Sequence, residues 1–166
     1  LTVTKGLSSK FSPERVFNAP LAESSIVGTA VGLAVNGYKP VVEIQFSDYI
    51  WTAMMQIRNE LATMRWRSNG DWTAPVVVRT TVGGYIHGGL CHSQNIEGFF
   101  SHLPGIYICY PSNAADAKGL LKQAVRLDDP VLFLEHKGLY RQNYAMSPEP
   151  DENYLVPFGK ASVKRH

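Results

Sequence analysis

Four short runs rich in β-branched and apolar residues divide this chain: Pro40 to Phe46, Pro75 to Val82, Ile106 to Tyr110, and Val131 to Glu135, the last opened by Pro130. Between them, apolar residues recur at helical spacing over about Ala22 to Val35, Tyr49 to Arg67, Ser93 to Phe100 and Asn113 to Arg126. Apolar strands that alternate with helices need cover on both sides. The chain is therefore predicted to be α/β, a mainly parallel sheet with helices on both faces and right-handed crossovers. In such sheets ligands collect beyond the carboxyl ends of the strands. Tyr49, the glycine-rich stretch from Gly83 to His92, and Pro111-Ser112 all follow predicted strands.

Local signals sharpen this outline. Gly28 and Gly32 share one face of the first helix, which suggests very close packing there, and Gly37 suits a C-terminal cap. Ser47 or Asp48 is placed to cap the segment from Tyr49 to Arg67, expected to be the longest helix, and Asn113 to cap the last one. Gly83 to Gly89 offers little side chain to pack and is expected to be a loop. Past Tyr140, the prolines and acidic residues of Met146 to Asn153 read as a linker. Residues 1–145 are thus expected to form one domain. Residues 146–166 would be a linker and the truncated start of a C-terminal domain, with a strand-like pattern from Tyr154 to Lys164.

Composition excludes several classes of function. At 166 residues, 45% hydrophobic and a net charge of +2, the chain suits a single packed core rather than disorder. Basic residues thicken at Arg65 and Arg67 and at Lys164 and Arg165, yet no stripe interleaves them with stacking aromatics as a nucleic-acid surface would. Cys91 and Cys109 describe no disulfide framework and no C-x-x-C motif, so a reducing cytoplasm is expected. No segment reaches the length of a membrane span, and Leu1 to Gly6 shows no signal-peptide pattern.

Two places hold residues suited to proton chemistry. Glu23 is a lone carboxylate in Pro20-Leu21-Ala22-Glu23-Ser24-Ser25-Ile26-Val27-Gly28. Enclosure by Leu21, Ile26 and Val27 would disfavour its charged form, while the helix N-terminus would favour it. His92 lies in Gly88-Gly89-Leu90-Cys91-His92-Ser93-Gln94, where glycines let backbone approach a ligand and an imidazole titrates near neutral pH. Cys91 has no evident partner base and reads as a passive pocket position. Asp128-Asp129-Pro130 reads as a helix-to-strand turn.

In residue type, order and spacing, the Glu23 segment, Tyr49 and the His-Ser-Gln motif at His92 resemble the pyrimidine-binding domain of thiamine-diphosphate-dependent 2-oxoacid dehydrogenases. Arg65-Trp66-Arg67-Ser68-Asn69-Gly70 is similar to a stretch of their β chains that transketolase and deoxyxylulose-phosphate synthase lack. The resemblance implies that Glu23 hydrogen-bonds the pyrimidine ring of thiamine diphosphate and so promotes deprotonation of its thiazolium carbon. It implies that Tyr49 stacks on that ring, that Gln45 occupies a neighbouring cofactor position, and that His92 lies beside substrate in the acyl-transfer part of the site. His87 is carried only as a substrate or lipoyl contact.

The family's Gly-Asp-Gly motif for the diphosphate and Mg²⁺ is absent, as is a P-loop. The resemblance therefore implies that Mg²⁺ is bound by a diphosphate-binding α subunit or fused domain, with no metal ligands in this chain. Some relatives bind a structural monovalent cation near the helix that Asn113 begins, which leaves K⁺ open. The implied whole is a decarboxylating component, of branched-chain (2-oxoisovalerate) type ahead of pyruvate type. It would be a dimer or heterotetramer that acts on a 2-oxoacid and acylates a lipoyl acyltransferase partner. The competing reading is a noncatalytic assembly module that binds a partner through the helix bearing Gly28 and Gly32.

Overall fold

The computed structural model describes residues 3–163; Leu1, Thr2 and Lys164 to His166 lie outside that span. A short helix α1 (Leu7–Phe11), which no periodicity announced, precedes α2 (Glu23–Val35). Next come β1 (Val41–Ile44) and a helical stretch from Ser47 to Arg67 that ends in α3 (Met64–Arg67). Then follow β2 (Val77–Val82), α4 (Glu97–Phe100), β3 (Tyr107–Cys109), α5 (Ala114–Arg126) and β4 (Val131–His136). All four strands pair in parallel, in the order β1-β2-β4-β3.

Alternation along β2 and β4 divides the core in two. Val76, Val78, Val82, Leu132 and Leu134 face α2, the Ser47–Arg67 stretch and α4, where Val27, Ile50, Ile57, Leu61 and Phe100 complete a layer. Val77, Val131 and Phe133 point the other way, onto Ala124, Leu120 and Leu121 of α5. Burying each large aliphatic side chain contributes about 1.5–3 kcal/mol, so cover on both faces is what stabilises an all-parallel sheet. The predicted α/β architecture is thus the observed one.

α2 ends as its sequence indicates. Gly37 has φ +88°, and the N–H groups of Gly37 and Tyr38 donate to the carbonyls of Ala34 and Leu33, closing the helix in a Schellman turn. The very close packing expected at Gly28 and Gly32 is not found. A Cβ at Gly28 would meet Gln56 at an ordinary 3.7 Å, whereas nothing lies within 4 Å of one at Gly32. Gly32 instead lies on the exposed side of the helix.

The expected long α-helix is wound in pieces: a 3-10 segment at Ser47–Ala53, a π segment at Gln56–Leu61, then α3. Buried Ile50, Ala53, Ile57 and Leu61 keep a 3-4-4 spacing throughout. Periodicity reports which side faces the core, and each of these windings satisfies it. Ser47 and Asp48 do not cap this stretch, because the Ser47 hydroxyl is taken by the carbonyl of Gln94. That carbonyl also accepts from Gly83 N–H, which holds Ser93 to Asn95 out of the expected helix and leaves only Glu97–Phe100 helical. Asn113 caps α5 as predicted, its side chain accepting from Asp116 N–H at 2.9 Å.

Residues 154–163 form no strand, and Lys164, the end of the predicted strand, lies outside the described residues. Instead this tail packs on α5, where Gly119 leaves room for Tyr154 and Val156 and Phe158 meets Tyr107. Lys118 reaches Glu149 and the carbonyl of Pro150, and Lys122 donates to the carbonyl of Glu152.

On the α5 side of the sheet, one arginine ties three strands together. Arg79 of β2 grips Glu135 of β4 with both Nε and Nη2, at 2.6 and 2.9 Å, and reaches Glu43 of β1 at 3.0 Å. Tyr140 donates its hydroxyl to Glu135. Burial acts to lower the Arg79 pKa, but the hydrogen bond and charge of Glu135, with the charge of Glu43, outweigh it and raise it. The Arg79 and Glu135 side chains are only 11% and 12% exposed. Arg79→Met should therefore strand two carboxylates and cost about 3–5 kcal/mol, read as a lower urea midpoint at unchanged m-value.

Burial also pushes the Cys109 thiol up from 9.0 to about 12. Its proton is thus held more tightly in the folded state, and that share of stability is complete below about pH 9 and lost as pH rises towards 12. Cys109→Ala should flatten the fall of the urea midpoint above pH 9. In native protein, a thiol reagent should modify exposed Cys91 and spare buried Cys109.

Candidate active site

The carboxyl ends of the four strands bring together residues that are far apart in sequence. Glu23 opens α2, where the unpaired amides of the first turn favour a carboxylate. The apolar enclosure expected for it is incomplete, since Leu21 is 88% exposed. Glu23 is half-buried, and its Oε2 accepts a hydrogen bond from Thr52 Oγ1 at 3.1 Å. Thr52 Oγ1 also lies 3.1 Å from the carbonyl of Tyr49. One hydroxyl thereby ties the start of α2 to the turn that carries Tyr49.

Tyr49 and His92 meet directly. The phenol oxygen lies 3.2 Å from His92 Nε2, with the donor set by the imidazole tautomer, and the two rings are edge-to-face at 5.8 Å. Phe46 makes the third member, edge-to-face with His92 at 4.6 Å and with Tyr49 at 6.3 Å. Aromatic pairs of this kind contribute about 0.5–1.5 kcal/mol beyond burial, enough to hold rings in place without enclosing them. Tyr49 is still 41% exposed, so an aromatic surface remains open beside Glu23.

His92 is held by a loop with a closed neck. The carbonyl of Gln94 accepts from Gly83 N–H at 3.0 Å and from Ser47 Oγ at 3.1 Å. Ser47 precedes Tyr49 by two residues and Gln94 follows His92 by two, so two parallel cross-links join the loop to the helical stretch. Gly83 has φ +79°, and a Cβ there would lie 2.2 Å from His136 Nε2. His136 Nδ1 accepts from Gly138 N–H at 3.0 Å, which fixes the ring against that glycine.

Other sequence candidates stand apart. Gln45 is exposed, and its carbonyl accepts from Thr81 Oγ1 at 2.8 Å. His87 is exposed in the loop with φ +56°, joined to neither Tyr49 nor His92 by any hydrogen bond or ring contact among the described residues. Cys91 is exposed next to His92. Sequence reading missed Thr52, Phe46, Ser47, Asp48, His136 and Lys137. For the last two, their position just beyond a strand's carboxyl end was the available signal.

A concavity of about 780 Å³ opens at the opposite end of the sheet, lined by Arg65, Trp66, Tyr107 and Asp129 among others. Its charges, Arg65 and Asp129, already satisfy each other at 2.6 Å. The chemistry points to the carboxyl-end cluster, where a carboxylate, a phenol and an imidazole converge. Ser47→Ala should cost about 1 kcal/mol, because Gln94 keeps its bond from Gly83. Hydrogen exchange should then speed up from Gly83 to His92 while the sheet amides stay protected.

Residues 1–143 match the family described as transketolase, pyrimidine binding domain. The chain is 51% identical over 162 residues to the 2-oxoisovalerate dehydrogenase subunit beta of Bacillus subtilis strain 168, covering 98% of this chain and 49% of that protein. It is 46% identical, over the same shares, to the pyruvate dehydrogenase E1 component subunit beta of the same strain. Among solved structures it resembles a split gene transketolase in an inactive beta4 tetramer, with TM-score 0.69 and 25% identity, over 97% of this chain and 49% of that one. The chain thus spans about half the length of the curated relatives it matches. Among the described residues, no helix is long and apolar enough to cross a membrane.

Proposed function

The chain belongs to the transketolase pyrimidine-binding domain family, and from that premise we propose that it forms the pyrimidine-binding half of the decarboxylating component of a 2-oxoacid dehydrogenase. The observation that carries this reading is the convergence of Glu23, Tyr49 and His92, through Thr52 and the Tyr49–His92 hydrogen bond, at the carboxyl edge of the sheet. The group to be held is thiamine diphosphate, and the residues present fit its aminopyrimidine. Glu23 keeps Oε1 without a hydrogen bond among the described residues and can accept from a ring nitrogen. The half-exposed Tyr49 ring offers a flat apolar surface beside it.

When bound, thiamine diphosphate supplies the electron sink on which a 2-oxoacid loses carbon dioxide. Glu23 takes and returns a proton at the pyrimidine nitrogen. Tyr49 orients the ring, with Gln45 near the same edge, and His92 donates or accepts a proton at the substrate. The Tyr49 hydroxyl holds the imidazole through Nε2, and Nδ1 has no hydrogen bond among the described residues. Residues 1–145 are read as the domain that does this and 146–166 as the passage to a further one.

Binding of the diphosphate and Mg²⁺ falls to an α subunit or fused domain, since this chain contains neither a Gly-Asp-Gly motif nor a P-loop. A lipoyl acyltransferase would receive the acyl group. A branched-chain 2-oxoacid is the favoured substrate over pyruvate, supported by the greater identity to the 2-oxoisovalerate dehydrogenase chain. The reading is tested in the assembled enzyme with 3-methyl-2-oxobutanoate and pyruvate. Glu23→Gln keeps the side chain's size but not its proton exchange, and turnover should fall at least about 100-fold with unchanged circular dichroism. Undiminished turnover in that variant would overturn the assignment.

A further inference from the structure

Behind the ring cluster lie two charges that the proposed chemistry does not use. Lys137, the residue after β4, is 1% exposed, and its ammonium has no hydrogen-bond partner among the described residues. Both carboxylate oxygens of Asp48, one residue before Tyr49, are buried and equally unpartnered. An isolated charge is costly enough to bury that proteins keep one inside only when another charge compensates it. Burial pulls the Lys137 pKa down and the charge of Asp48 pulls it back, so the two groups feel one another.

Their position gives this pair a task. The Lys137 ammonium stands 5.7 Å from the centre of the Phe46 ring, within cation-π range. Phe46 in turn makes edge contacts with His92 and Tyr49. Asp48 follows β1 and Lys137 follows β4, strands separated in the sheet by β2. Their attraction therefore spans the carboxyl edge of the sheet, with the ring that backs His92 beside it.

We propose that Asp48 and Lys137 form a buried charge pair that positions the Phe46–His92–Tyr49 cluster for turnover. Both are positioning residues that act through Phe46. The inference deepens the function proposed above and rests on it, since it takes His92 and Tyr49 to face the reacting groups. A ring displaced by about 1 Å can cost up to about 100-fold in rate while leaving substrate binding nearly intact.

The test is a double-mutant cycle in the assembled enzyme with Lys137→Met, Asp48→Asn and the combined variant. Each single change strands one charge and should lower Tm by roughly 5–10 °C. Each should also reduce kcat roughly 10- to 100-fold, with KM for the 2-oxoacid changed less than about threefold. The combined variant should regain most of the lost Tm and stay slow. A single variant that fails to assemble while the combined one assembles would equally support the pairing. Additive losses of Tm, or failure of the combined variant to assemble, would overturn it. Recovery of kcat together with Tm would overturn the positioning role. The Tm cycle is read without substrate, so it stands even if Glu23→Gln keeps full turnover, and failure of the two readings can be told apart.

Discussion

Parallel pairing of four strands is the constraint on which everything else in this protein hangs. Because β1, β2, β4 and β3 all run the same way, each chain segment that leaves a strand does so at the same edge. The turn after β1 carries Phe46, Asp48 and Tyr49, the loop after β2 carries His92, and β4 ends in His136 with Lys137 directly after it. α2 packs against β1 and the stretch that follows it, which brings Glu23 to that edge as well. An antiparallel arrangement of the same elements would scatter these side chains over both ends of the sheet.

Within that edge, a few hydrogen bonds convert proximity into geometry. The carbonyl of Gln94 accepts from two elements, and two residues along the Tyr49–His92 bond repeats the link between the same pair of segments. Two cross-links fix both position and angle, where one would leave a hinge. The backbone pays in irregularity: the helical stretch starts as a 3-10 turn and passes through a π segment before α3. The loop holds Tyr85 and His87 at positive φ. Departures from ideal winding of this kind gather at functional sites, where surrounding contacts over-determine them.

Much of the fold was legible because it rests on local pattern. Val41–Ile44, Val77–Val82 and Val131–His136 are β-branched or apolar enough to announce strands, Gly37 announces the end of α2, and Asn113 the start of α5. Legibility failed where a long-range partner overrode a local preference. Ser47 reads as a cap, yet its hydroxyl bonds Gln94, 47 residues away. Tyr154 to Lys164 reads as a strand, yet the side chains of Tyr154 and Val156 lie on α5 because Gly119 opens a groove for them. In the site, Glu23, Tyr49 and His92 were visible through resemblance, while Thr52 and Lys137 were silent because ordinary residues gain their roles only from what they touch.

Sequence by itself determined the class of fold, the end of the sheet at which Tyr49 and the His92 loop lie, and the kinds of side chain available there. These follow from periodicity and residue chemistry, which are properties of short segments. Only the tertiary structure decided that Thr52 would share its hydroxyl between Glu23 and Tyr49, that one carbonyl would close the His92 loop, and that the Asp48 carboxylate and the Lys137 ammonium would each be buried. Hydrogen bonds depend on distances of a few ångströms, here between residues as far as 29 and 47 positions apart, and packing of the whole core sets those distances.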